Sequence, residues 1–211
     1  NSNLSRVRFG KHYLYDWLPQ AKDWTMCASI DGTGKIGEFI RTGLKWDQWD
    51  QNFREGVALP GGKDRMLMDL TLTGPGMFDL KNFFDYALEL DVKIETKRMF
   101  AFHPDIVFSP MAWPRHILNR IVNDNLDYIR ARATDKQQTL IRELENMLVT
   151  PTFQEQWPDS AETAFFKGRN WQDKIADIRS GEGSTRIEHI YAADSELLDW
   201  WMRLDPKHNQ L

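Results

Sequence analysis

The sequence predicts an α/β fold, with parallel strands and helices alternating to about residue 110 and a mainly helical region from there to residue 211. Two observations carry this. "DWTMCASID" (23–31) and "RMLMDLTLTG" (65–74) alternate between apolar and small polar residues, the period of a strand with one greasy face. Apolar residues at helical spacing separate these segments, which makes the strands parallel neighbours joined by crossovers.

In chain order, Trp24, Met26, Ala28 and Ile30 share one face of the first strand, opposite Thr25, Cys27, Ser29 and Asp31. After the turn "RTG", Trp46, Trp49, Phe53 and Val57 mark a helix. In the second strand Met66, Met68, Leu70 and Leu72 lie opposite Leu67, Asp69, Thr71 and Thr73. Leu80, Phe83, Phe84, Ala87 and Leu88 then form a second helical stripe. "VKIETKRMFAF" (92–102) reads as a third strand, with either face able to point inward. The proline-bounded "HPDIVFSPMAWP" ends the α/β region 1–110 and opens the helical extension 111–211. There, Pro114 suits the first turn of a helix carrying Ile117, Ile121 and Tyr128. Further helices are expected over 135–149 and 194–204. The stretch 150–193 is mixed, with "WPDS" and "SGEGS" as turns. With the greasy faces against helices, the small polar faces of the strands are left to line a site.

A net charge of −4 over 211 residues gives no general reason to expect a nucleic acid or a membrane surface as partner. No apolar run approaches the roughly 20 residues that span a bilayer, and the start carries no signal-peptide pattern. The single cysteine, Cys27, excludes an intramolecular disulfide, a four-cysteine zinc site and an iron–sulfur cluster held by this chain, and a cytoplasmic setting fits. Nine tryptophans are expected to act as core anchors. The five histidines (12, 103, 116, 189 and 208) lack the spacing of a metal motif; His103 either faces the end of the third strand or forms a turn. The basic residues of 115–132 are interrupted by Asp124 and Asp127, as on a solvated helix.

"SIDGTGKIGEFIR" (29–41) holds a literal G-x-G-x-x-G at Gly32, Gly34 and Gly37. A dinucleotide fold would need a crossover helix opening on the third glycine and an acid at the end of the next strand. "EFIRTG" is too short for that helix, and Asp47 and Asp50 fall within the next helical stripe, so phosphate binding by the loop is the minor alternative. The charged residues fit better. Ser29 lies at the carboxyl end of its strand, where α/β sheets place their sites. Arg41 is near enough to return a guanidinium fork to the same mouth, a pairing suited to an α-carboxylate. Glu38 would orient Arg41 or bind an ammonium. On the plainer reading, Asp31 caps a turn and Glu38–Arg41 is an exposed helical pair.

The stretch "SIDGTGKIGEFIRTGLKW" resembles the fourth-strand region of radical S-adenosylmethionine enzymes, in the branch with a C-terminal twitch-type domain. The shared positions are Ser29, Ile30, Asp31, Gly32, Gly34, Glu38, Ile40, Arg41, Gly43 and Trp46. "NSNLS", "DLTLTG" and "SPMAWP" resemble the end of the third strand, the fifth strand and the loop to the helical tail. The resemblance implies an incomplete parallel (β/α) barrel that binds S-adenosylmethionine against a four-iron, four-sulfur cluster and generates a 5′-deoxyadenosyl radical. It implies that Ser29 and Arg41 lie near the methionine carboxylate, and it gives a candidate cofactor-binding set of Asn3, Ser29, Asp31, Glu38, Arg41, Thr71 and Thr73. No residue is assigned a catalytic or metal-ligating role. The cluster motif C-x-x-x-C-x-x-C and the second strand's G-G-E are not in the chain, so a fragment is expected: inactive alone, holding no cluster and binding S-adenosylmethionine weakly or not at all by itself, its parent acting on an unknown peptide or small molecule. A truncated barrel would expose strand edges and self-associate. The rival from another class is a non-catalytic α/β interaction module.

Overall fold

The computed structural model describes residues 1–99, 104–179 and 184–205. In chain order, the hairpin β1 (Arg8–Phe9) and β2 (His12–Tyr13) leads into the short α1 (Leu14–Trp17). The α/β part follows as β3 (Met26–Ile30), α2 (Gly34–Ile40), α3 (Trp46–Val57), α4 (Gly62–Arg65), β4 (Met66–Leu72), α5 (Leu80–Leu90) and β5 (Lys93–Arg98). The helical part comprises α6 (Arg115–Arg130), α7 (Gln138–Val149), α8 (Phe153–Gln156), α9 (Ala161–Ile178), α10 (Ile187–Tyr191) and α11 (Ser195–Arg203). The fold is mixed α/β around a three-stranded parallel sheet of order β3–β4–β5. Among the described residues the sheet does not close into a barrel.

The alternation seen in the sequence is the alternation in space. Met66, Met68, Leu70 and Leu72 of β4 are buried against helices, together with Ala28 and Ile30 of β3 and Ile94 of β5. Each large side chain removed from water in this way contributes about 1.5–3 kcal/mol. The opposite face carries Cys27, Ser29, Asp69, Thr71, Lys93, Glu95 and Lys97, none of them buried, which settles the orientation of β5. Helix α3 supports the apolar side with a stack of rings: Trp46 on Trp49 at 5.5 Å and Trp49 on Phe53 at 4.8 Å. One connected buried cluster runs from Leu4 to Leu204, so helices of both halves share it.

The two sheet edges are treated differently. Beyond β3, Ser2 makes one parallel bridge: its N–H donates to Cys27 O at 3.0 Å and its carbonyl accepts from Ser29 N at 2.8 Å. Beyond β5, side chains take the place of a strand. Thr139 of α7 donates to Ile94 O, and Gln137 Nε2 donates to Val92 O at 3.2 Å. The expected exposed edge is therefore covered on the β5 side.

Several expectations need correction. The mixed stretch 150–193 contains the 18-residue helix α9 as well as α8 and α10. Tryptophan is a core anchor at Trp49, Trp113 and Trp201, all fully buried, but Trp17, Trp157 and Trp171 lie on the surface. His103, the last residues of 92–102, most of "SGEGS" and His208 lie outside the described residues. No helix among the described residues is long and apolar enough to cross a membrane.

Candidate functional site

The carboxyl ends of β3 and β4 bring most of the candidate residues to one place. The parallel register sets Ser29 directly opposite Asp69 on the polar face, and Ser29 Oγ donates to Asp69 Oδ2 at 3.1 Å. Lys97, one strand further, reaches diagonally to the same carboxylate, with Nζ 2.7 Å from Oδ1 and 2.8 Å from Oδ2. Lys93 and Glu95 pair beside it on β5. The result is a polar row running Ser29–Asp69–Lys97 across three strands.

Asp31, just past β3, is only 7% exposed. Its carboxylate accepts from Thr71 N at 3.1 Å, tying the end of β3 to β4. The same carboxylate is gripped by Arg41, with Nε 2.6 Å from Oδ2 and Nη2 3.1 Å from Oδ1. Arg41 thus does return to the mouth, as the spacing suggested, but its immediate partner is Asp31. Among the described residues its Nη1 has no protein acceptor, and the side chain keeps 31% exposure, so one donor edge of the fork stays available.

The glycine loop is held by packing. A Cβ on Gly37 would sit 2.2 Å from Gly32 O, so the helix crosses the loop backbone at a distance only glycine permits. Gly34 has φ +49° and opens α2, which places the third glycine inside the helix and not at its start. Both donors of Thr33 in this loop are already engaged by a protein anion. Asp79, 4% exposed at the start of α5, accepts from the Thr33 N–H, from Thr33 Oγ1 at 2.8 Å and from Asn82 Nδ2 at 3.0 Å. Burial raises the Asp79 carboxyl above its ordinary range, partly opposed by these hydrogen bonds. The loop carries its own counter-group.

Three candidates stand apart from the mouth. Glu38 accepts from Trp46 N at 3.0 Å and pairs with Lys35 at 3.2 Å; it caps the start of α3 and does not orient Arg41. The Trp46 N–H stabilises its anion and lowers its pKa. Thr73 lies beyond the end of β4, buried, with its hydroxyl accepting from Gly76 N at 3.1 Å, so it is turn structure. Asn3 is exposed and folds onto its own segment, accepting from Ser5 N and Oγ at 3.1 and 2.9 Å. Thr71 remains on the polar face beside Asp31.

Lys97 is the site residue that sequence reasoning missed. Its signal was present: Lys93, Glu95 and Lys97 alternate with Ile94, which marks the charged face. Thr96 and Arg98 blurred it, because the helix-facing side of β5 is itself polar and pairs Arg98 Nε with Glu143 of α7 at 2.7 Å. The chain matches no protein-family model, no curated protein and no solved structure in the comparisons made.

Proposed function

We propose that this chain contributes the last three strands of a radical S-adenosylmethionine-type partial barrel and binds the cofactor's amino-acid end at the carboxyl edge of β3. The observation that carries the reading is the Arg41 fork: two nitrogens fixed by Asp31 and a third edge left for another carboxylate, one strand-end away from the Ser29 hydroxyl. A guanidinium preorganised in this way loses little rotamer freedom on binding. The sequential parallel order β3–β4–β5, with a further parallel bridge at Ser2, also suits a barrel whose preceding strands lie on the β3 side. That edge is where such a piece would self-associate; a monomer at every concentration in light scattering removes this part of the proposal.

The residues present do not fit the iron–sulfur cluster. A chain with one cysteine cannot supply its thiolates, and no metal-holding group of His, Cys, Asp and Glu occurs among the described residues. No step through the cluster is assigned to this chain. Its part is to position: Arg41 and Ser29 at a carboxylate, Thr71 and the Asp69–Lys97 pair on the floor of the polar face.

One observation favours the rival reading of a non-catalytic module. Ser29, Asp69 and Lys97 already satisfy one another, as do Lys93 and Glu95, so the face needs no ligand to balance its charge. Titrating S-adenosylmethionine into the ¹⁵N-labelled chain separates the two. The open face does not exclude water, so binding should be weak; a Kd of about 1 mM, worth about 4 kcal/mol, should still shift the amides of Ser29, Asp31, Arg41 and Thr71. Silence at those amides under saturating ligand sinks the cofactor reading and leaves the module.

A further inference from the structure

We propose that the outward face of α9 docks an acidic amphipathic helix of a partner protein, independently of the cofactor reading. Helix α9 buries Ala161, Phe165, Gly168, Arg169 and Gln172 against the rest of the chain. Its other side presents a second regular row, Ala164, Lys167, Trp171, Lys174 and Ile178, in steps of three and four residues. That spacing is the seam of a coiled coil: Ala164, Trp171 and Ile178 fall at every seventh position, with Lys167 and Lys174 between them. Trp171 is 41% and Ile178 84% exposed, and both lysines are exposed. Single apolar residues on a surface are ordinary, but a row in heptad register is a contact surface.

Charge selects the occupant. The ring and the cations share one face, and among the described residues neither lysine has a carboxylate within ion-pair distance. The acids of α9 are turned away or committed elsewhere. Glu162 lines the groove that holds Phe165 and Trp200. Asp173 pairs with Arg169 at 3.3 Å, and Asp177, beside the row, pairs with Arg186 at 3.0 Å. The row therefore carries two uncompensated positive charges, and carboxylates spaced to meet them complete it.

A second copy of this chain would bring four lysines and no acid into the seam, a juxtaposition of like charges that opposes pairing. An anionic bilayer would also answer lysine and tryptophan, but a helix lying in a membrane surface buries a broad apolar face. Here the apolar positions form one narrow line, flanked by Asn170, Lys174 and Asp177. A partner helix with leucine and glutamate alternating along its own seam matches it, the leucines on Trp171 and Ile178 and the glutamates on the lysines. The 18 residues of α9 span about 27 Å, a small contact that suits a transient complex.

The test uses a fluorescein-labelled three-heptad helical peptide with Leu and Glu alternating along its seam, and a control peptide with Lys in place of each Glu. Binding to the whole chain is read by anisotropy. The acidic peptide is expected to bind saturably, more weakly as salt is raised, and the basic peptide not at all. Lys167→Glu with Lys174→Glu should weaken the acidic peptide about tenfold and create binding of the basic one. Trp171→Ala should weaken the acidic peptide about fivefold without altering the salt dependence. The three residues are exposed, so an unaltered urea midpoint checks that the variants fold. No binding of the acidic peptide, equal binding of the two peptides, or failure of the charge-reversed variant to exchange them overturns the proposal. Sedimentation with phosphatidylserine vesicles in place of peptide binding does so as well.

Discussion

Arg41 lays two guanidinium nitrogens on one carboxylate, Asp31, which at the same time accepts the backbone N–H of Thr71. The Asp31 carboxylate therefore joins the ends of β3 and β4 to the far end of the glycine loop. The pair is built into the fold before any ligand arrives, and an anion at the mouth would meet a guanidinium that has already been aimed.

This coupling can be measured. Removing Arg41 leaves Asp31 nearly buried with only one neutral donor, and breaking a buried pair from one side costs about 3–5 kcal/mol. Because the Arg41 side chain keeps 31% exposure, water recovers part of that. Arg41→Ala is expected to cost about 2 kcal/mol in urea unfolding, and Asp31→Asn a similar amount. The double variant should cost clearly less than their sum. Strict additivity would mean that the two residues act separately.

Strands β3 and β4 and helices α3, α5, α6, α7 and α11 were legible because each has an apolar face with the right period. Helix α9 was not. Its buried positions are Ala161, Phe165, Gly168, Arg169 and Gln172, properly spaced for a helix but mostly small or polar. Arg169 is held there by Glu188 at 2.5 Å and lies 4.2 Å from the Trp201 ring centre, while Trp171 and Ile178 face water. A hydropathy stripe cannot show a helix whose inward side is satisfied by ion pairing. For the site, what was legible at residues 29–41 was the return of Arg41 to the carboxyl end of β3, where its fork meets Asp31 two residues beyond Ser29. Who pairs with whom was not, because the Asp31–Arg41 and Asp69–Lys97 contacts depend on how neighbouring strands and the loop come together.

The glycine loop supplies a contrast between two substitutions. Gly37→Ala would put a methyl 2.2 Å from a backbone oxygen that cannot swing aside, so α2 or the loop must move. A loss of about 2–4 kcal/mol is expected. Gly34 has nothing within 4 Å of the same methyl, and its φ of +49° is the only obstacle. Gly34→Ala should cost about 1–2 kcal/mol, the strain of an L-residue in that region. Equal midpoints for the two variants in urea unfolding would contradict the close approach of Gly37 to Gly32.

The polar row on the sheet should contribute little to stability. Lys97 is 56% exposed and Asp69 16%, and exposed pairs are worth at most about 1 kcal/mol. Lys97→Met and Ser29→Ala are each expected to change the unfolding free energy by less than about 1 kcal/mol. Larger losses would make the row scaffolding and weaken the case that this face is kept polar for a ligand.

The last prediction concerns acid. Arg115 at the start of α6 closes the end of α7, donating to Met147 O, Leu148 O and Thr150 O at 3.3, 3.2 and 2.6 Å, and it clasps both oxygens of Glu155. The guanidinium, helped by the Thr152 N–H, lowers the Glu155 carboxyl to about 2. The folded protein thus holds the anion more tightly than the unfolded chain, where the group titrates near 4.5. The stabilisation is complete above the unfolded value and is lost as pH falls from about 4.5 to about 2. Glu155 is 44% exposed, so solvent reduces the gain to roughly 1 kcal/mol. Urea midpoints measured from pH 6 to 2 should fall for the wild type, and the fall should be shallower in Glu155→Gln, which starts from a lower plateau. Parallel profiles would show that Arg115 holds α7 without drawing on the charge of Glu155.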